Sequence, residues 1–114
     1  MRDGVQLPSG PLYHYVVVRT DIAAGSQFAQ VVHAAGESAR LANELPEDTR
    51  AVALGIKDKA SLEALEARLI AARIVHAAIR EPDPPFNGEL VAIGLAPVSR
   101  QLVRRLLSSL RLLR

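Results

Sequence analysis

The chain has 114 residues, a formal net charge of +2 and no cysteine. That length is one domain with room for a real core, and the absence of cysteine excludes a disulfide scaffold and a thiolate metal site. Aromatic residues are only 4% against 49% hydrophobic residues in all, so the core must be built from Val, Leu, Ile and Ala.

Residues 1–12 hold two Pro and two Gly without periodicity and read as a flexible leader to a domain over residues 13–114. They carry no apolar run of the signal-peptide kind. Nor does any stretch approach the roughly 20 apolar residues of a membrane helix. The expectation is a cytoplasmic protein without a membrane partner.

Residues 13–19 form a near-continuous β-branched and aromatic run, as expected of a strand covered on both faces. A helix follows from about Ser26 to Asn43, with Phe28, Val31, Val32, Ala35 and Ala39 on its inward face. Ser26 or the residues just before it can cap this helix, and Pro46 lies beyond its end. A second strand is expected over residues 51–56. Asp58 then caps a helix over residues 59–73, with Leu62, Leu65, Leu69 and Ala72 facing inward.

A third strand is expected over residues 74–80, a Pro-rich loop over 81–88 and a fourth strand over 90–95. Pro97 and Ser99 open a last helix on which Leu102, Leu106 and Leu110 share a face. The order is β-α-β-α-β-β-α. Crossover helices make the first three strands parallel. The short last loop, a hairpin or a connection across the sheet edge, turns the fourth antiparallel. The expected fold is α/β, with a mixed four-stranded sheet between helices.

Ligands in such sheets gather at the carboxyl ends of the strands. There the first helix carries Ser26, Gln30, His33 and Glu37 as a polar stripe. Its free N–H groups attract an anion, and Arg19 ends the first strand. His33 can serve as a general base or as a hydrogen-bonding group; the alternative is a surface or packing histidine. Glu81 and Asp83 can orient water or substrate, or can be solvated acids of the loop. His14 and His76 alternate with apolar residues and read as structural.

No metal motif, phosphate-binding glycine loop or nucleophile elbow is present. No acidic residue follows Glu89, whereas Arg100, Arg104, Arg105, Arg111 and Arg114 do. This is the footprint of a polyanion site or a solvated helix face.

Three segments together resemble the archaeal/eukaryotic-type (class II) peptidyl-tRNA hydrolases. They are Tyr15-Val16-Val17-Val18-Arg19-Thr20-Asp21, Ala29-Gln30-Val31-Val32-His33-Ala34-Ala35 and Ile79-Arg80-Glu81. The family reads V-V-R-x-D-L, then G-K-x-x-A-Q-x-x-H-A-A, then an acidic residue after the third strand.

The resemblance implies a three-layer α/β/α sandwich, no cofactor, and hydrolysis of the ester between a peptide and tRNA. Peptidyl-tRNA is then the partner, and a homodimer is implied because members are often dimers. It places His33, Gln30, Glu81 and Asp83 in catalysis. Arg19, Asp21, Gly25, Ser26, Arg100 and Arg104 fall to substrate binding. Gly25-Ser26 stands where the family has Gly-Lys, and residues 81–89 replace a hydroxyl-bearing loop. Both departures resemble a divergent branch, for which a non-catalytic tRNA- or protein-binding module is the alternative function.

Overall fold

The computed structural model describes residues 10–114. Of the leader expected over residues 1–12, the first nine lie outside the described residues, and β1 begins at Leu12. The main elements are β1 (Leu12–Arg19), α1 (Ala24–Ala39), β2 (Arg50–Ile56), α2 (Lys59–Ala71), β3 (His76–Glu81) and β4 (Glu89–Leu95). β5 (Val98–Ser99), α3 (Arg100–Leu107) and β6 (Arg111–Leu112) complete the chain.

The sheet order is β3-β4-β1-β2-β6, with β5 paired to β1. β1 and β2 are parallel, while β4 runs antiparallel to both β1 and β3. The β3–β4 connection is a hairpin.

The class is as expected, but the sheet has six strands rather than four. Both extra strands fill backbone left open by the others. β4 covers β1 only at Val16, Val17 and Val18, and β5 takes up Leu12 and Tyr13. From Val16 back to Tyr13 is three residues, whereas from their partners Gly94 to Val98 is four. The extra residue falls where Pro97, without an N–H, cannot continue the ladder. β6 pairs with the outer edge of β2, Leu54 opposite Leu112 and Gly55 opposite Arg111. That edge would otherwise present unpaired backbone groups.

β1 alternates between two cores. Tyr15 and Val17 face α2 and α3, packing with Leu54, Leu62, Leu69 and Ile93. Val16 and Val18 face α1, packing with Ala34, Ile79, Val91 and Ala92. These are the three layers. Asp58 caps α2 as expected, accepting from the Ser61 N–H at 2.8 Å. Ile74 N–H to Leu69 C=O and Arg73 N–H to Ile70 C=O close its other end. Arg73 occupies the left-handed position of that paired motif, at φ 57°.

Both outer helices sit differently from their apolar patterns. α1 buries Gln30, Ala34 and Ser38, whereas Phe28 and Val32 are 63% and 73% exposed. The cause is Gly94 on β4. A Cβ there would overlap the Ala34 carbonyl and the Ser38 side chain, so only small residues of α1 meet the sheet at this point. Ser38 Oγ donates to Ala34 C=O at 2.7 Å and lies 2.7 Å from His14 Nε2. The hydroxyl has one proton, so His14 is the donor in that second bond.

α1 also ends at Ala39, short of Asn43, because its last turn tightens into Leu41 N–H to Ser38 C=O and Ala42 N–H to Ala39 C=O bonds. α3 buries Val103 and Leu107, leaves Leu102 58% exposed and ends before Leu110. Ala72, expected inward on α2, is exposed.

Two outcomes follow. Gly94→Ala should destabilise the fold by roughly 1–3 kcal/mol through overpacking, lowering the thermal midpoint by about 4–8 °C per kcal/mol; an unchanged melting curve would contradict the close contact. Burial lowers the pKa of His14 from 6.5. The unfolded chain therefore takes up this proton first as pH falls. The His14 contribution is complete above about 6.5 and is lost as pH drops through the lowered folded value. Urea midpoints at about pH 7.5 and about pH 5 should differ less in His14→Gln than in the wild type.

Candidate functional site

Arg19 ends β1 and is 7% exposed. A buried guanidinium needs partners for its donors, and it has them. Nε and Nη2 donate to the two carboxylate oxygens of Asp21 at 2.9 and 3.0 Å. Nη1 donates to Glu89 Oε1 at 2.9 Å and to the Leu90 carbonyl at 3.1 Å. The Asp21 hydrogen bond pushes the Arg19 pKa up against the cost of burial, and Glu89 adds to it. In return the Arg19 hydrogen bond holds the Asp21 carboxyl below its ordinary range, opposed by burial. This fork ties the end of β1 to the start of β4.

Across the hairpin, Glu89 is in register with Glu81. Glu81 Oε2 accepts from Gln30 Nε2 at 3.2 Å. Because a carboxylate is an acceptor only, this bond fixes which end of the Gln30 amide faces it. Gln30 Oε1 then points elsewhere, buried and without a donor among the described residues. An orphan acceptor of this kind invites a donor from water or substrate.

The start of α1 lies in the same region. Its N-cap is Ala23, no side chain caps it, and its first turn carries no acid. Ser26, expected as a possible cap, is helical and half-buried, and its side chain does not cap α1. Gln27 folds back instead, donating to Ile22 C=O at 2.7 Å. Gly25 is exposed, with open space where a Cβ would stand.

Arg19, Asp21, Gln30 and Glu81 are thus gathered at the carboxyl ends of β1 and β3, with the α1 start beside them. His33 lies one turn past Gln30 on α1, exposed. Asp83 is exposed in the hairpin loop, where its backbone C=O accepts from Phe86 N–H and Asn87 N–H. Arg100 and Arg104 are elsewhere. They line a groove with Tyr13 and Tyr15 near the amino end of β1, on the α2/α3 side.

Glu89 is the participant that the sequence reading missed. Its signal is a hairpin in which an acid recurs opposite Glu81. His76 is turned to the backbone, Nδ1 donating to Ile74 C=O at 2.7 Å. Among the described residues no group of His, Asp and Glu is arranged to hold a metal, and no helix is long and apolar enough to cross a membrane.

Comparison with known proteins gives two findings. The family model described as Peptidyl-tRNA hydrolase PTH2 matches residues 12–113. Among solved structures, a protein of unknown function from Agrobacterium tumefaciens strain C58 is similar at a TM-score of 0.73 and 12% identity. The alignment covers 93% of this chain and 100% of that one, and at such identity the likeness is one of fold. No curated protein matches the chain.

Replacing Arg19 by Met removes charged hydrogen bonds, each worth about 1.5–3 kcal/mol where buried. Asp21 and Glu89 are 37% and 39% exposed, so water offsets part of that loss, and a net loss of about 2 kcal/mol is expected in urea denaturation. The Asp21 pKa is depressed on folding from 3.8. Its contribution is full above that value and disappears as pH falls through the lower folded one. Arg19→Met should therefore flatten the acid limb of the stability profile; an identical limb would rule out the fork as its source.

Proposed function

This chain belongs to the peptidyl-tRNA hydrolase PTH2 family, and we propose that it cleaves the ester joining a peptide to tRNA, at the Gln30–Glu81 pair. The observation that carries this reading is the buried Gln30 amide, held by Glu81 with its own oxygen left without a donor among the described residues. A water placed there has two acceptors for its two protons, Gln30 Oε1 and a Glu81 carboxylate oxygen, and turns a lone pair outward.

In this mechanism the water attacks the ester carbonyl as Glu81 takes its proton. The tetrahedral oxyanion is stabilised by free N–H groups at the α1 start, around Gly25 and Ser26. Collapse breaks the bond to the ribose oxygen, which leaves with the proton that Glu81 took up. His33, exposed one turn along, contacts the substrate at the mouth of the site and shares the proton transfer. Arg19 and Asp21 position Glu89 and the start of β4, and through the hairpin Glu81. Asp83 borders the entrance from the loop. Arg100 and Arg104 supply phosphate contacts away from the chemistry.

One observation favours a second reading, a tRNA-binding module without catalysis: Ser26 stands in the first turn of α1, so no cation is present there to assist the oxyanion.

The test is single-turnover cleavage of a labelled N-acetyl-aminoacyl-tRNA. The wild type should cleave. Glu81→Gln should lose about 10²–10⁴-fold in rate, and Gln30→Ala and His33→Ala should each lose most turnover while remaining folded. Full activity in Glu81→Gln and His33→Ala would remove both from the site. No cleavage by a folded wild type would leave the binding module.

A further inference from the structure

A wide groove of the described structure does not lie over Glu81. It is an open cleft of about 640 Å³ between α2, α3 and β6, on the other side of the sheet. Its floor is apolar, with Leu65, Leu106, Leu110 and Leu112, and its rim carries Lys57, Arg68, Arg111 and Arg114. β6 makes this possible. By returning antiparallel along β2, it sets Arg111 opposite Gly55, two residues from Lys57.

A second groove, about 530 Å³, continues toward the amino end of β2, lined by Tyr13, Tyr15, Arg100 and Arg104. Leu110 lines both. At its far end the Arg50 guanidinium lies over the Tyr13 ring, 5.9 Å from the centroid.

Among the described residues no Asp or Glu lines either groove. None of the six rim cations is in an ion pair among the described residues, where the pairs engage Arg19, Arg40 and Arg80. Six free cations on a formal net charge of +2 mean that charge is segregated onto this flank. The flank follows β2 for its seven residues, about 23 Å at ~3.3 Å per residue, so it meets several successive phosphates. Its apolar floor and the flat Arg50–Tyr13 surface suit the faces of unpaired bases. Thr20 lines the first groove and lies between Arg19 and Asp21, so the flank opens onto the candidate site.

We propose that the two grooves form one track for a single-stranded RNA end, running from Tyr13 and Arg100 past Arg68 and Arg111 to Thr20. The identity of the anion rests on the hydrolase reading; the track itself rests on the shape and charge of the flank. It brings Lys57, Arg68 and Arg50 into RNA binding.

The test is fluorescence anisotropy with a short single-stranded RNA, titrated at several salt concentrations. Arg68→Glu/Arg111→Glu should bind about tenfold or more weakly. Its slope of log Kd against log salt should be smaller by about 1.4, twice the ~0.7 of one single-strand phosphate contact. Arg40→Glu, on the α1 side, should match the wild type. All three side chains are exposed, and circular dichroism checks that each variant is folded.

Equal RNA affinity in the double variant and the wild type would overturn the track. So would wild-type binding that ignores salt, or an acidic peptide binding as tightly as the RNA. Hydrolysis separates this from the reaction. If the wild type cleaves and the double variant keeps the wild-type KM, the track fails and the hydrolase stands. If the wild type does not cleave but binds RNA through Arg68 and Arg111, the track stands and the hydrolase fails.

Discussion

The seat of α1 on β4 governs the rest of the molecule. Gly94 has no side chain, and the Ala34 carbonyl and the Ser38 side chain occupy the space that one would fill. This contact fixes the rotation of α1 about its axis. With Ala34 and Ser38 down, Gln30 is also down, one turn nearer the carboxyl end of the sheet. There it meets Glu81. Had α1 buried Phe28 and Val32 instead, Gln30 would have turned from Glu81, and His14 would have lost its hydroxyl partner. A packing constraint in the middle of the helix therefore decides which polar groups face each other at its start.

Polar burial is matched at each of these points. Ser38 is fully buried and both accepts from His14 and donates to Ala34 C=O. Arg19 spreads its charge over two carboxylates and a carbonyl. Each arrangement also joins elements distant in the chain, Arg19 to Glu89 and His14 to Ser38. Gln30 breaks the pattern, since half of its amide is unpaired. Burying a polar atom without a partner costs about 1–3 kcal/mol. Among the described residues Thr49 Oγ1 is the other buried side-chain atom without a partner, but only the Gln30 amide lies against a carboxylate, that of Glu81.

The backbone plan was legible in the sequence because it depends on local signals. The apolar run at residues 13–19, the Asp58 cap and the proline-rich turn each act over a few residues, and the strands and helices lie within a few residues of their expected bounds. What was not legible depends on contacts between distant segments. Val31 and Ala35 on α1, with Leu106 and Leu110 beyond them in the chain, pack against the cores as their apolarity indicates. Phe28, Val32 and Leu102 are instead exposed, and on α1 the cause is Gly94, sixty residues from Ala34, which sets the phase of the helix. β5 and β6 are two residues each, too short for any periodicity, and exist only because β1 and β2 have unpaired backbone beside them. At the site, Arg19, Gln30 and Glu81 are legible from strand ends and helix spacing, and Asp21 from the family resemblance. Glu89 needed the hairpin register, and the distance of Arg100 from Arg19 needed β5 to hold the start of α3 beside the start of β1.

The sheet also separates two kinds of electrostatics. At the hairpin, carboxylates predominate: Asp21 and Glu89 hold one buried guanidinium, and Glu81 stands opposite Glu89 in the ladder. On the β2 flank cations stand unpaired. The two regions adjoin at Asp58, whose carboxyl feels both Lys57 and Arg19. A polyanion is drawn to the flank and repelled from the hairpin, where only its uncharged portion can rest without cost. In the proposed function the ester lies at such a junction, with phosphates on one side and a peptide on the other. Thr20, between Arg19 and Asp21 and on the rim of the large groove, is where this chain brings the two regions together.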